Sequence, residues 1–363
     1  MPPFARLLPL LSLLAACASG GPRTDDAAMT ASTTPEAAAV DRLLRDYDGS
    51  VPGAAVLVLQ GGVPVVRRGY GLADVAAGTR VTPRTNFRLA SVSKQFTAAA
   101  ILLLAEDGRL RLDDPVRRWL PSLPAAADAV TIHHLLAHTS GLVDYEDLLP
   151  DGLDRQLRDA DVLAILEGQD RLYFAPGTRY RYSNGAYALL TRIVVAASGQ
   201  DYAGFLRTRI FQPLGMDATV AFEDGVSTVP DRAYGHSFVD GAWVRTDQSP
   251  TSAVLGDGGI YSSIDDLAKW DAALQDDRLL SDASRALAFA AQTGVAVDED
   301  DVDAYGYGWR LHGTRQWHSG ETIGFRNVIV RDPARRLTVI VLSNRNDPPP
   351  YSLALRILDT IGH

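Results

Sequence analysis

Ser91-Val92-Ser93-Lys94-Gln95-Phe96-Thr97-Ala98-Ala99-Ala100-Ile101-Leu102-Leu103-Leu104-Ala105 is a run rich in Ala and Leu that stops at Glu106-Asp107-Gly108. Glycine after the last good helix former is a common C-terminal stop, so the run predicts one helix from about Ser91 to Asp107. It is apolar nearly all round, which predicts a helix sheathed by the rest of its domain. Ser91 stands at its start and Lys94 three residues on, a spacing that puts hydroxyl and amine on one face.

The lysine is informative because the chain otherwise avoids it. Lys and Arg total 35, yet lysine occurs only at 94 and 269. A guanidinium stays charged, whereas a desolvated ammonium can lose its proton and then accept one from a hydroxyl. Lys94 beside Ser91 therefore points to proton transfer. The plainer reading of the same four residues is a capping serine followed by a snorkelling lysine.

Working outward, 363 residues with 46% hydrophobic and 22% charged residues describe a globular chain of one large domain or two modest ones. The net charge of −9, with no basic cluster, argues against nucleic acid as a partner. No internal apolar run has membrane-spanning length. At the N-terminus, Arg6 precedes a short apolar core ending in Ala15-Ala16, which reads as an export signal over residues 1–16. Leu14-Ala15-Ala16-Cys17 resembles a bacterial lipobox, with Cys17, the sole cysteine, as the lipidated residue. Ordinary cleavage after Ala18 is the alternative. The expectation is an exported periplasmic or cell-surface lipoprotein that meets a membrane only through this anchor. Residues 17–35, rich in Ser, Gly, Thr, Ala and Pro, read as a flexible tether. With one cysteine, no internal disulfide is available.

After a helical segment from about Glu36 to Tyr47, two β-branched runs flank Gly61-Gly62 and predict a hairpin over residues 53–71. Short helices are expected at Thr131 to Ala137, Ala160 to Glu167, Ala186 to Ala197 and Tyr202 to Ile210. An amphipathic helix with a serine cap is expected from Ser262 to Leu274. Arg315 to His318, Gly324 to Arg331 and Leu337 to Leu342 read as strands, and Tyr351 to Thr360 as a closing helix. Strands at both ends with helices between predict an α+β fold with one sheet built from both ends of the chain. Residues 36–110 and 250–363 would form the sheet lobe, and residues 111–249 an inserted helical lobe.

A serine hydroxyl needs a base to act as a nucleophile near neutral pH. One candidate is Tyr182, in Tyr182-Ser183-Asn184, because a phenol beside an ammonium has its anion stabilised. Asn184 offers an amide for a substrate carbonyl or N–H. A turn tyrosine with a capping asparagine is the plainer alternative. The other stretch is Trp317-His318-Ser319-Gly320-Glu321. Gly320 would let substrate approach the backbone, and the Glu321 N–H would join the Ser91 N–H as an oxyanion hole. His318 would assist proton transfer or hold a carboxylate, against the alternative of a histidine at a strand edge.

Ser91-x-x-Lys94, Tyr182-x-Asn184 and His318-x-Gly320, in this order, resemble the three motifs of the serine β-lactamase and penicillin-binding-protein superfamily. The resemblance is greatest to its branch of class C β-lactamases, esterases and D-aminopeptidases. Further matching stretches are His138-Thr139-Ser140-Gly141-Leu142, Phe211-Gln212-Pro213-Leu214-Gly215-Met216 and the run from Gly258 to Ala268. The resemblance implies a β-lactamase/transpeptidase-like fold with an antiparallel sheet flanked by helices, Ser91 as acylated nucleophile, Lys94 and Tyr182 as its activating pair, and Asn184 as a substrate contact. It also implies an oxyanion hole from the Ser91 and Glu321 amides. Dedicated class C β-lactamases usually carry Lys-Thr-Gly at the third motif. Here His318 takes the lysine's place, so a fixed cation for a β-lactam carboxylate is missing.

His133, His134 and His138 have metal-ligand spacing but no accompanying Glu or Cys, and are assigned to packing or loop hydrogen bonds. The Asp298-Glu299-Asp300-Asp301 run reads as a solvated loop. No metal and no cofactor are expected. The expected function is a serine hydrolase acting through a Ser91 acyl-enzyme on small esters, amides or D-amino-acid peptides. The alternatives are a class C-like β-lactamase or DD-carboxypeptidase, and a non-catalytic protein that binds β-lactams or peptidoglycan fragments.

Overall fold

The computed structural model describes residues 34–361. The export signal, Cys17 and all but the end of the tether lie outside the described residues. The main sheet has seven strands, numbered here in chain order: β1 (Ala54–Gln60), β2 (Val63–Tyr70), β3 (Ala304–Tyr305), β4 (Arg310–His312), β5 (Arg315–Thr322), β6 (Phe325–Asp332) and β7 (Leu337–Ser343). They lie in the order β3-β4-β5-β6-β7-β1-β2, every pair antiparallel. Both ends of the chain build one sheet, as expected, with β7 pairing with β1, one strand in from the β2 edge. Gly61 and Gly62 both take positive φ in the β1–β2 turn, the backbone that suits a tight hairpin.

Strand side chains alternate between two cores, as a period of two requires. Val56, Val58, Val328, Val330, Val339 and Val341 face one core, which two terminal helices cover: α1 (Pro35–Leu43) and, at the other end of the chain, Pro350–Ile361. Ala55, Leu57, Leu59, Ile329, Ile340 and Leu342 face the other and larger core, together with α2 (Lys94–Glu106) and the helices of the middle of the chain. Every residue of α2 from Lys94 to Leu104 is buried, as the all-round apolar pattern predicts. The difference lies at its start. Ala90–Ser93 form a 3-10 turn, and α-helical geometry begins only at Lys94.

Among these, α3 (Asn184–Ser198) packs on α2. The Tyr202–Ile210 helix is shorter than expected, ending at Leu206 and passing into a π-helical turn over Arg207–Phe211. A hairpin of His236–Val239 and Ala242–Arg245 was not expected. Further on, α4 (Ile264–Ala273) is capped by Ser263, whose side chain accepts from the Asp266 N–H. No described helix is long and apolar enough to cross a membrane.

Candidate active site

The residue before Ser91 carries backbone strain. Ala90 has φ of 49°, in the left-handed region that side chains disfavour. The strain turns the chain sharply into the Ala90–Ser93 turn and leaves Ser91 half-buried at the mouth of α2. Lys94, one turn on, is fully buried. Its Nζ donates to Ser91 Oγ at 3.0 Å, to Asn184 Oδ1 at 2.7 Å and to the backbone carbonyl of Asp257 at 3.0 Å. An ammonium has three donors, and here each has an acceptor.

Two buried carboxylates hold those acceptors in place. Asp159 accepts from the Leu255 and Gly256 amides at 3.0 and 3.1 Å, pinning the helical turn Leu255–Gly258 that presents the Asp257 carbonyl. Asp144 accepts from Ser183 Oγ at 2.5 Å and from the Gly185 amide at 3.1 Å. Ser183 also caps α3 through the Ala186 N–H. The residues on either side of this cap, Tyr182 and Asn184, are thereby fixed over Lys94.

The phenol and the hydroxyl both lie beside the amine, the hydroxyl by a hydrogen bond and the phenol by its ring. Lys94 Nζ lies 4.9 Å from the centre of the Tyr182 ring, and Tyr182 Oη is a buried atom without a hydrogen-bond partner. Asn184 differs from expectation. Both ends of its amide are engaged, Oδ1 by Lys94 and Nδ2 by Glu146 Oε2 at 2.9 Å. Burial pushes the Glu146 carboxyl above the usual carboxylate range, with the Asn184 hydrogen bond opposing it. Ser91, Glu146, Asn184, Asp257, Thr251 and Glu321 line one cleft.

The third motif lies within β5 rather than at its end. A β-carbon on Gly320 would overlap the carbonyl oxygen of Leu89 and lie 3.1 Å from the Val92 nitrogen. Its bareness thus admits the nucleophile turn, not substrate as expected, and brings Glu321 beside Ser91 in the cleft. His318 is fully buried. Its Nδ1 lies 2.6 Å from the Ser319 carbonyl, which can only accept, so Nδ1 carries the proton and Nε2 accepts from Tyr305 Oη at 3.0 Å. Burial, with Arg310 and Lys94 adding to it, holds the imidazole neutral. It offers no positive charge to a carboxylate.

Three residues belong to this neighbourhood that sequence reasoning placed elsewhere or passed over. His138, at φ of 57°, lays its ring 4.3 Å from that of Tyr182 and accepts from the Ser183 amide at 3.1 Å. Arg310 lies 5.0 Å from the Tyr182 ring centre and 3.4 Å from His318 Nδ1. Glu299, from the acidic run read as solvated, accepts from Arg310 Nε at 2.9 Å and from Tyr180 Oη at 2.8 Å. The Tyr305 to Arg310 stretch carried no signal that it would reach the site. The expected assignment of His133 and His134 agrees with their contacts, with Tyr307 Oη and in the Thr131 cap respectively. Among the described residues, no group of His, Cys, Asp and Glu could hold a metal ion.

A hydroxyl at a strained turn, a buried amine and an unpartnered phenol form a set suited to acyl transfer. The Beta-lactamase family model matches residues 40–361, and the chain belongs to this family of serine hydrolases. It is 34% identical over 321 residues to penicillin-binding protein 4* of Bacillus subtilis (strain 168), covering 83% of this chain and 70% of that one. It is 31% identical over 337 residues to a D-aminopeptidase of Gluconobacter oxydans (strain 621H), covering 90% of this chain and 61% of that protein. The chain thus spans less than two thirds of the latter. Among solved structures, the D-amino acid amidase of Ochrobactrum anthropi SV3 complexed with D-phenylalanine superposes with a TM-score of 0.79. Its identity is 25%, with 90% of this chain and 99% of that one covered.

Proposed function

We propose that the protein hydrolyses small esters and amides, D-amino-acid amides and peptides among them, through an acyl-enzyme on Ser91. The observation that carries this reading is the 3.0 Å hydrogen bond between buried Lys94 and Ser91 at the strained turn. Ser91 Oγ attacks the substrate carbonyl carbon while its proton passes to the Tyr182–Lys94 pair. The oxyanion forms against the Ser91 and Glu321 amides, each such donor contributing roughly 2.7–4 kcal/mol to the transition state. The carbon–nitrogen or carbon–oxygen bond then breaks, and the amine or alcohol leaves with that proton. Water adds to the acyl ester, again giving up a proton to the pair, and the carboxylic acid departs as Ser91 regains its hydroxyl.

Glu146 supports a substrate with a free amine, since its carboxylate lines the cleft with Ser91 and would meet an α-ammonium group. Neutral His318 argues against a preference for β-lactams. Export and a lipid anchor at Cys17 remain part of this proposal on sequence grounds alone.

Intact mass after incubation with esters, D-amino-acid amides and β-lactams tests the reading. An acyl adduct in the wild type and none in Ser91→Ala, with turnover lost, is the expected result. Turnover retained by Ser91→Ala would place the nucleophile elsewhere. Nitrocefin hydrolysed faster than p-nitrophenyl butyrate would favour a β-lactamase, and no adduct with any probe a pure binding protein.

A further inference from the structure

Tyr182 has an unusual electrostatic setting. The rings of His138, His318 and Tyr305 lie 4.3, 6.1 and 6.4 Å from its own, and those of Tyr180 and Tyr187 lie 6.0 and 5.0 Å from the His138 ring. All five are held neutral by burial, which pushes both imidazoles down and the three phenols up. The charges facing the ring are Lys94 at 4.9 Å and Arg310 at 5.0 Å, nearly equidistant from its centre.

Arg310 is a built-in charge. Its side chain is 13% exposed, and its register on β4 opposite Trp317 of β5 sets it beneath the third motif. Burial works against its charge, and the Glu299 carboxylate paired with it opposes that effect. The ion pair with Glu299 fixes the side chain, and Tyr180 fixes Glu299 in turn. The cation that His318 does not supply therefore stands directly behind His318, contributed by the neighbouring strand.

We propose that Arg310, held by Glu299, is a positioning residue for catalysis: its fixed charge favours the proton-accepting form of Tyr182. This rests on the reading of Tyr182 as the acceptor of the Ser91 proton. The physical basis is that a fixed cation beside a phenol ring favours negative charge on it. Glu299 acts in the opposite sense, because it neutralises part of Arg310 and adds a negative charge of its own nearby. The acidic run from Asp298 thus supplies one member of the site's electrostatic balance.

The test is the pH dependence of Ser91 labelling by a fluorophosphonate, followed by intact mass, in the wild type and four variants. In that step the Ser91 oxygen displaces fluoride from phosphorus and its proton goes to the base. In Arg310→Gln, the acid limb of the labelling rate moves to higher pH by about one unit or more, a tenfold loss per unit on the acid side. In Glu299→Gln it moves to lower pH. Arg310→Lys, which keeps the charge, stays near the wild type. A purely structural role would lower rates without moving the limb in opposite directions. An unmoved limb in Arg310→Gln, or the same movement in both charge variants, overturns the proposal. If Arg310→Gln does not fold, Glu299→Gln and Arg310→Lys decide it alone. Tyr182→Phe separates the two readings. Should it keep the wild-type limb, Tyr182 is not the acceptor and both fall. Should it lose the limb while Arg310→Gln leaves it in place, only the role of Arg310 falls. No labelling of the wild type would remove Ser91 as nucleophile and overturn both.

Discussion

Gly320 rests against the carbonyl of Leu89 so closely that there is no room between them for a single carbon atom. The contact docks β5 on the Ala90–Ser93 turn and sets Glu321 in the same cleft as Ser91. Gly320→Ala must push strand and turn apart by the width of that carbon. The expected outcome is a fall in kcat of about 10²–10³, the value of one oxyanion donor. Steady-state kinetics with p-nitrophenyl butyrate check it, with a thermal melt to show that the variant is folded. A kcat within threefold of the wild type would mean that this approach does not position the donor.

Lys94 is the sole donor shared by Ser91 Oγ, Asn184 Oδ1 and the Asp257 carbonyl. Lys94→Met keeps the length of the side chain and removes all three bonds. Leaving buried acceptors unpaired costs about 1–3 kcal/mol each where no water reaches them. A lower melting temperature and acylation slowed by at least about 10² are both expected, the latter from loss of proton transfer. Stopped-flow acylation on the folded variant reads the second effect apart from the first.

The parts of this site that were legible in the sequence are those whose chemistry is local. Ser91 and Lys94 share one helical turn, so their spacing alone predicts a contact. Tyr182 and Asn184 stand two residues apart in one motif, although the cap of α3 is Ser183 and not the asparagine that the sequence offered as one. The Gly61-Gly62 hairpin and the buried α2 follow from turn chemistry and unbroken apolarity. What escaped depends on registers between distant strands. Arg310 reaches Tyr182 only because β4 pairs with β5 so that Arg310 lies opposite Trp317. Glu299 looks like any solvated acid until Arg310 and Tyr180 are seen beside it. Gly320 was read as open to substrate because a sequence does not reveal which backbone lies across from a glycine. The Ala90 turn escaped because nothing about alanine predicts positive φ.

Away from the site, Asp271 on α4 ties that helix to the sheet. Its Oδ1 accepts from Arg331 Nε of β6 at 2.8 Å and from Thr338 Oγ1 of β7 at 3.0 Å, with both charged side chains buried. Asp271→Ala strands the Arg331 charge, and removal of one partner from a buried pair costs about 3–5 kcal/mol. Denaturant unfolding is expected to show that loss, with kcat unchanged at temperatures where the variant is folded. A loss under 1 kcal/mol would show that Gln316, which accepts from Arg331 Nη1 at 2.8 Å, suffices as partner.

Asp257 faces two ways, its carbonyl toward Lys94 and its carboxylate toward Tyr145 Oη at 3.2 Å. Burial pushes the carboxyl well above the usual carboxylate range. Lys94 pulls it part of the way back, and Glu146, Asp159 and Asp144 add to the rise. A folded-state value above the unfolded one means that the native protein holds a proton that the unfolded chain has released. The stability from this group is complete below the unfolded value near 3.8 and is lost as pH rises through the folded value. Asp257→Asn keeps the shape, leaves the carbonyl in place and removes the ionisation. The variant is expected to match the wild type in acid and to gain on it as pH rises, by about 1.4 kcal/mol for each unit of the shift. In a melt at pH 8 this is a rise on the order of 2 °C or more. A variant that melts below the wild type at pH 8 would instead show that the carboxylate is charged in the native state and that its attraction to Lys94 outweighs its burial.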